Sequence, residues 1–260
     1  MVWWVIARAA FRKNLAYVLA HMANNAGSLL FGLIYMALWH VASREETLGP
    51  FHGRELVSYI AASQALLWIS TFLPSGLGID LQVRSGSVAL EMARPVPYVP
   101  RMVAAGIGEA FYNLVFRSGP LIVAFTVMGV FPWGHVRSEE ALGGDIAAVL
   151  LALWMGVLMQ YLVGIAAFWT MESRWALRLF LGLNMFMSGQ LLPLQLMPPR
   201  LQESLNWLPF QALVSLPASV WLGVATQDAW ISAGIWAVGL YVIAVLITHR
   251  ATRRLEVQGG

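Results

Sequence analysis

A carboxylate, an amide and a guanidinium recur at i, i+4, i+8 as Glu109, Asn113 and Arg117 inside one long apolar run. Such a stripe lies on one helix face and could couple an ion to transport, the default reading for ionisable groups within a span. The bundle-facing structural reading is the stronger of the two, with Arg117 snorkelling toward the headgroups. Gln64, Gln160, Asn184 and Ser188 are uncharged polar groups in other apolar runs. Residues of this kind mostly bond helix to helix, and a minority line a substrate path. Gln64 on the second run and Asn184 with Ser188 on the fifth are the first choices for such a path. His21, His40, His52, His135 and His249 fall at run ends or in loops. The only set that could gather on one face, His40, His52 and His135, lacks the tight spacing of a zinc site, so no metal site is expected. No HExxH, GxSxG or buried carboxylate pair occurs, so no catalytic residue is assigned. Cysteine is absent, which excludes disulfides and thiolate chemistry. The single lysine, Lys13, follows Phe11-Arg12. It cannot complete a GxxxxGK[ST] phosphate loop, so the chain binds no ATP through a P-loop of its own.

The elements that must position these groups are membrane helices. Of 260 residues, 59% are hydrophobic and 11% charged, with mean hydropathy +0.68; soluble domains carry about a quarter charged residues. The expected fold is all-α and integral to the membrane, with six spans of roughly 20 residues. Residues 1–20 read as an interfacial amphipathic helix, with Trp4, Ala7 and Phe11 on one face and Arg8 and Arg12 beside them. A permease-sized domain follows over 21–260, with spans at about 22–41, 56–79, 102–131, 146–170, 179–192 and 231–248. Segment 193–230 is broken by Pro193, Pro198, Pro199, Pro209 and Pro217. Its apolar pieces are too short to cross, and they read as re-entrant helices that need burial in protein or water.

Orientation comes from the basic residues. With the N-terminus inside, inner segments hold Arg8, Arg12, Lys13, Arg84, Arg94, Arg101, Arg174, Arg178, Arg250, Arg253 and Arg254, whereas outer ones hold only Arg44, Arg54, Arg137 and Arg200. Both termini are therefore expected in the cytoplasm. The net charge of +3 sits at span ends rather than along a stripe, which gives no nucleic-acid signature. No internal repeat supports a pseudo-symmetric carrier.

Segment 80–101 is the most polar interior stretch. The spacing predicts a short helix over Ser87–Ala93, begun by Ser85-Gly86-Ser87 and stopped by Pro95, Pro97 and Pro100. A helix placed there either lies in the headgroups as a connector or docks on a cytoplasmic partner.

Arg84-Ser85-Gly86, then Leu90, then Arg94-Pro95 after the second span, resembles the permease subunits of ABC type-2 exporters. Pro193 and Pro198, with Leu208-Pro209-Phe210, Pro217 and Leu222-Gly223, are similar to the same family's segment before the last span. The resemblance covers nearly the whole chain. It implies a bacterial cytoplasmic-membrane permease that pairs with a second copy or homologue and with separate ABC ATPase subunits, which bind ATP and Mg. It also implies outward movement of a hydrophobic or amphiphilic substrate, and an outer side closed by segment 193–230. Carried onto this chain, the coupling helix is Ser85–Arg94, with Arg84, Gly86, Leu90, Glu91, Arg94 and Pro95, together with Arg8 and Arg12, toward the ATPase. Glu109 and Arg117 match no motif of the family. The alternative they support is a stand-alone secondary transporter or channel; a membrane enzyme lacks clustered reactive groups.

The missing cysteines make the orientation directly testable. Ser87→Cys is expected to react with an impermeant maleimide only after the membrane is opened, and Gln202→Cys in intact cells.

Overall fold

The computed structural model of the protein describes residues 2–42, 51, 53–133 and 139–258. No strand occurs among the described residues. Helix α1 (Val2–Asn14) leads through a 3-10 turn, Leu15–Tyr17, into α2 (Val18–Ala42). Helix α3 (Gly53–Ser70) breaks and restarts as α4 (Ile79–Arg84), and α5 (Val88–Met92) follows. Then come α6 (Tyr98–Asn113), a π-helical turn Leu114–Ser118 and α7 (Gly119–Val127). Helices α8 (Glu139–Ile165) and α9 (Ala167–Thr170) precede α10 (Arg174–Met187). Short pieces α11 (Pro199–Asn206) and α12 (Ser215–Trp221) lead into the long α13 (Gln227–Gln258).

Among the described residues, five helical stretches are long and apolar enough to cross a membrane: Val2–Ala42, Gly53–Arg84, Tyr98–Val127, Ala141–Thr170 and Gln227–Arg253. The fifth expected span, at about 179–192, is not among them; α10 stands there with 14 residues. At 1.5 Å per residue it reaches about 21 Å, short of the roughly 30 Å hydrocarbon core. Its end is set by Gly189, whose φ of +81° takes the chain out of the helix just after Ser188.

Helix α8 is the central post, touching α3, α6, α10, α12 and α13. Its Gly156, Gln160 and Gly164 fall four residues apart on one face, and they receive the break in the second stretch. There the chain runs left-handed through Gly76, Leu77 and Gly78 (φ +56°, +51° and +73°). Leu77 bears the steric cost of that conformation, about 1–2 kcal/mol. A Cβ on Gly164 would stand 2.1 Å from the Gly76 carbonyl, and one on Gly156 would stand 2.3 Å from the Ser70 carbonyl. Backbones at that approach admit only glycine.

Segment 193–226 is folded into the bundle rather than through it. Most of Pro209–Leu213 and α12 is buried; Ser215 N–H donates to the Ser188 carbonyl (2.8 Å), and Gln211 Nε2 donates to the Ala229 carbonyl (2.9 Å). Broken helices at membrane depth are tolerated when protein covers them in this way. The turn after α9 is left-handed at Met171 (φ +59°) and carries Glu172, whose carboxyl the Arg174 guanidinium holds below its usual range. Arg44, Glu45, Glu46, His52, His135 and Arg137, which the sequence places on outer loops, lie outside the described residues.

Gly164→Ala is expected to destabilise the protein by about 3 kcal/mol, the upper end for overpacking, seen as a melting temperature lowered by several degrees in detergent. Gly182→Ala, with open space around it, is the control and is expected to hold or raise stability.

Candidate functional site

An open groove of about 460 Å³ lies between α2 and the end of α3, lined by Asn24, Ser28, Phe31, Gln64, Trp68 and Gln190 among others. Asn24, Gly27, Ser28 and Phe31 come from one face of α2 at i, i+3, i+4, i+7. Gln64 is buried, and its Nε2 has no hydrogen-bond partner among the described residues. The groove therefore combines aromatic walls with amide groups and one hydroxyl, Ser28 Oγ, which donates to the Asn24 carbonyl (3.2 Å), the usual make-up of a ligand site.

The other polar residues singled out by sequence are divided by the structure. Gln160, fully buried, works as a strut across the left-handed break: its Oε1 accepts from Gly76 N–H (3.1 Å), and its Nε2 donates to the Thr71 carbonyl (3.0 Å). Asn184 Nδ2 donates to Thr71 Oγ1 (2.9 Å), with Gln190 Oε1 at 3.4 Å. Through Gln190 this buried chain reaches the groove. Ser188 is buried, and its hydroxyl has no partner among the described residues.

Glu109 and Arg117 are not brought together. The charge nearest in effect to Glu109 is Lys13 on α1, whereas Arg117 interacts with His21 and Tyr112. The Arg117 guanidinium carbon lies 3.3 Å from the centre of the Trp68 ring, a close cation–π contact in a buried setting. No ion pair joins Arg117 to a carboxylate among the described residues. Trp68 thus carries a buried positive charge on one side and faces the groove on the other.

The π-helical turn that holds Arg117 has a local cause. Pro120 has no N–H to give to the carbonyl one turn back, at Phe116. Asn25 Nδ2 supplies that hydrogen bond at 2.8 Å. Asn113 Nδ2 likewise reaches across to the Trp68 carbonyl at 2.9 Å, and His21 Nδ1 meets Tyr112 Oη at 2.7 Å. Asn113 therefore bonds helix to helix.

The second cluster lies further along the chain, past the break that follows α3. The helix expected over Ser87–Ala93 is found as α5, Val88–Met92, and Gly86 at φ +72° parts it from α4, which ends at Arg84. Val88 is buried, whereas Leu90, two residues on and on the opposite face, is 75% exposed. Glu91 takes both Arg94 (2.8 Å) and the buried Arg101, whose Nη2 also donates to the Glu91 carbonyl (2.7 Å). Arg84 pairs with Asp80 at 3.4 Å on the surface, a contact of about 0.5 kcal/mol. Tyr98 Oη donates to Gln82 Oε1 (2.9 Å), so α4 is tied to the start of α6. Pro95 follows on the exposed turn. Arg8 and Arg12 border a separate hollow of about 630 Å³ between α1 and α6, beside Trp4, Phe11 and Phe111.

Among the described residues no three His, Cys, Asp or Glu side chains gather as a metal site. Sequence reasoning missed Asn24, Ser28 and Gln190. The helical spacing on α2 carried a signal for the first two; Gln190 follows a helix end and had none.

Residues 29–259 match the model of a family described as ABC-2 family transporter protein. No curated protein matches the chain.

Asn25→Leu should cost about 1–3 kcal/mol by leaving the Phe116 carbonyl unbonded. Pro120→Ala restores an N–H there, and in the Asn25→Leu background it is expected to recover part of the loss in a double-mutant cycle of thermal unfolding.

Proposed function

Because the chain belongs to the ABC-2 transporter family and is a membrane transport subunit, we propose that it is the permease of a bacterial ABC exporter, acting in the cytoplasmic membrane with both termini inside. In this reading two permease copies, or this chain and a homologue, associate with two ATPase subunits that bind ATP and Mg. The chain supplies the path and no catalysis. Segment 80–101 is the coupling element, and α10 with the residues after it makes the fifth of six crossings.

The observation that carries this reading is the way α5 is mounted. Val88 sits in the core, and Glu91 grips Arg101 on α6. Leu90 stands outward with almost nothing of its own chain over it. An apolar side chain held out on a short, doubly anchored helix fits a socket on a partner. A push on α5 then passes through Arg101 to α6, and through Tyr98 and Gln82 to α4 and the broken second span. Closure of the ATPase pair around nucleotide would rock these helices as rigid bodies and expose the polar groove alternately to the two sides.

The substrate reading follows from the groove. Phe31, Trp68 and Phe72 offer apolar surface, and Asn24, Ser28, Gln64 and Gln190 offer hydrogen bonds. That combination suits amphiphilic or hydrophobic molecules carrying a few polar groups. A stand-alone transporter worked by Glu109 and Arg117 finds less support, since the two charges have different neighbours.

Leu90→Asp is expected to leave the permease folded, because the side chain is exposed, and to abolish co-purification with a cognate ABC ATPase. Full retention of the complex, also with Arg84→Glu and Arg94→Glu added, would overturn the assignment of the coupling element.

A further inference from the structure

We propose that the cleft between α8, α10 and α13 is a binding site for a single anionic phospholipid of the cytoplasmic leaflet. Two adjoining hollows, of about 340 and 330 Å³, share Leu162, Ala166 and Trp175 and form one continuous cleft. Each is as large as an ordinary ligand pocket. Along α8 and its continuation α9 the lining runs from Met159 through Leu162 and Ala166 to Trp169, a rise of about 15 Å at 1.5 Å per residue. That equals the depth of one leaflet, half of a hydrocarbon core about 30 Å thick.

The two ends of the cleft differ in chemistry. At one end stand Arg250, Trp169 and Trp175. Trp175 is fixed by its Nε1–H to Thr170 Oγ1 (3.0 Å), and both indoles are partly exposed, as rings at headgroup depth are. Arg250 is exposed and forms no ion pair with a carboxylate among the described residues, whereas Arg174 on the neighbouring turn is already held by Glu172 at 2.6 Å. An unengaged guanidinium at the mouth of an apolar cleft complements a phosphodiester, which it can bond with two N–H groups. At the other end Leu183, Leu240 and Phe210 make the cleft wholly apolar, with Pro209 beside them. The folded-in segment thus floors the cleft near mid-depth. A transmembrane helix from another copy would have to continue past that floor; an acyl chain of one leaflet ends there.

The leaflet named rests on the orientation proposed above, but the binding itself depends neither on orientation nor on the ATPase. It can therefore fail while the exporter reading stands, and the reverse.

The test is native mass spectrometry of the purified full chain, delipidated and then offered phosphatidylglycerol and phosphatidylcholine in equal amounts. Wild type is expected to retain one phosphatidylglycerol in preference to phosphatidylcholine. Arg250→Gln should lower that preference about tenfold, the loss of one charge-assisted contact. Ala166→Trp should fill the cleft and remove bound lipid of either kind. Should that variant fail to fold, Leu179→Trp blocks the cleft from its exposed α10 side. Equal retention of both lipids by wild type, or unchanged preference in Arg250→Gln, overturns the proposal. So does disulfide cross-linking between copies through Ala166→Cys, which would mean that protein covers the cleft.

Discussion

Gly156, Gln160 and Gly164 repeat every fourth residue on α8, and the arrangement of the bundle depends on what that face accepts. Between Ser70 and Ile79 the second membrane stretch is not a helix, and its carbonyls and N–H groups need partners where water is scarce. Two missing side chains let that backbone lie on α8, and the glutamine between them bonds it at both ends. Substitute either glycine and the break has nowhere to go. The direction of α4, and with it the position of α5, is set there. The proposed coupling element and the central post are thus one mechanical unit.

A related economy of polar groups runs through the third stretch. Pro120 deprives Phe116 of a donor, the helix widens into a π turn, and Asn25 crosses from α2 to fill the vacancy. The widened turn carries Arg117, whose charge rests on Trp68, and Asn113 bonds the Trp68 backbone. Helices α2, α3 and α6 are therefore locked together just behind the groove. That rigidity matters for a site formed by α2 and α3, because amides stay available to a guest only when their surroundings cannot collapse onto them.

The all-helical membrane character and the family were legible in the sequence, since both rest on length, hydropathy and local motif. The stripe of Glu109, Asn113 and Arg117 was legible as a helix face, and the structure parts its members: Asn113 bonds the Trp68 carbonyl, Arg117 lies on the Trp68 ring, and Glu109 takes part in neither contact. What could not be read were facts that need two segments at once. Gln160 looks like any amide in a span until Thr71 and Gly76 are placed against it. The short helix expected over Ser87–Ala93 is α5, but α4 before it was not foreseen: the left-handed turn at Gly76–Gly78 breaks the second span and restarts it as a separate helix that Gly86 parts from α5. Glycine permits such conformations without announcing them. The expected fifth span came out short and shifted toward its N-terminus. Apolar residues beyond Met187 continue the hydrophobic run, but Gly189 and Pro193 turn their backbone away from the helix.

That short helix has a consequence for the surrounding bilayer. A rise of about 21 Å against a hydrocarbon thickness of about 30 Å leaves roughly 9 Å unmatched along the α10 flank. The lipids beside it must shorten their reach, at a cost of a fraction of a kcal/mol for each ångström. The protein is on that side an object of unequal height, indented where its neighbours α8 and α13 are tall. Acyl chain length becomes a variable to which such a shape responds, favouring thinner membranes and drawing shorter chains to one flank of the molecule.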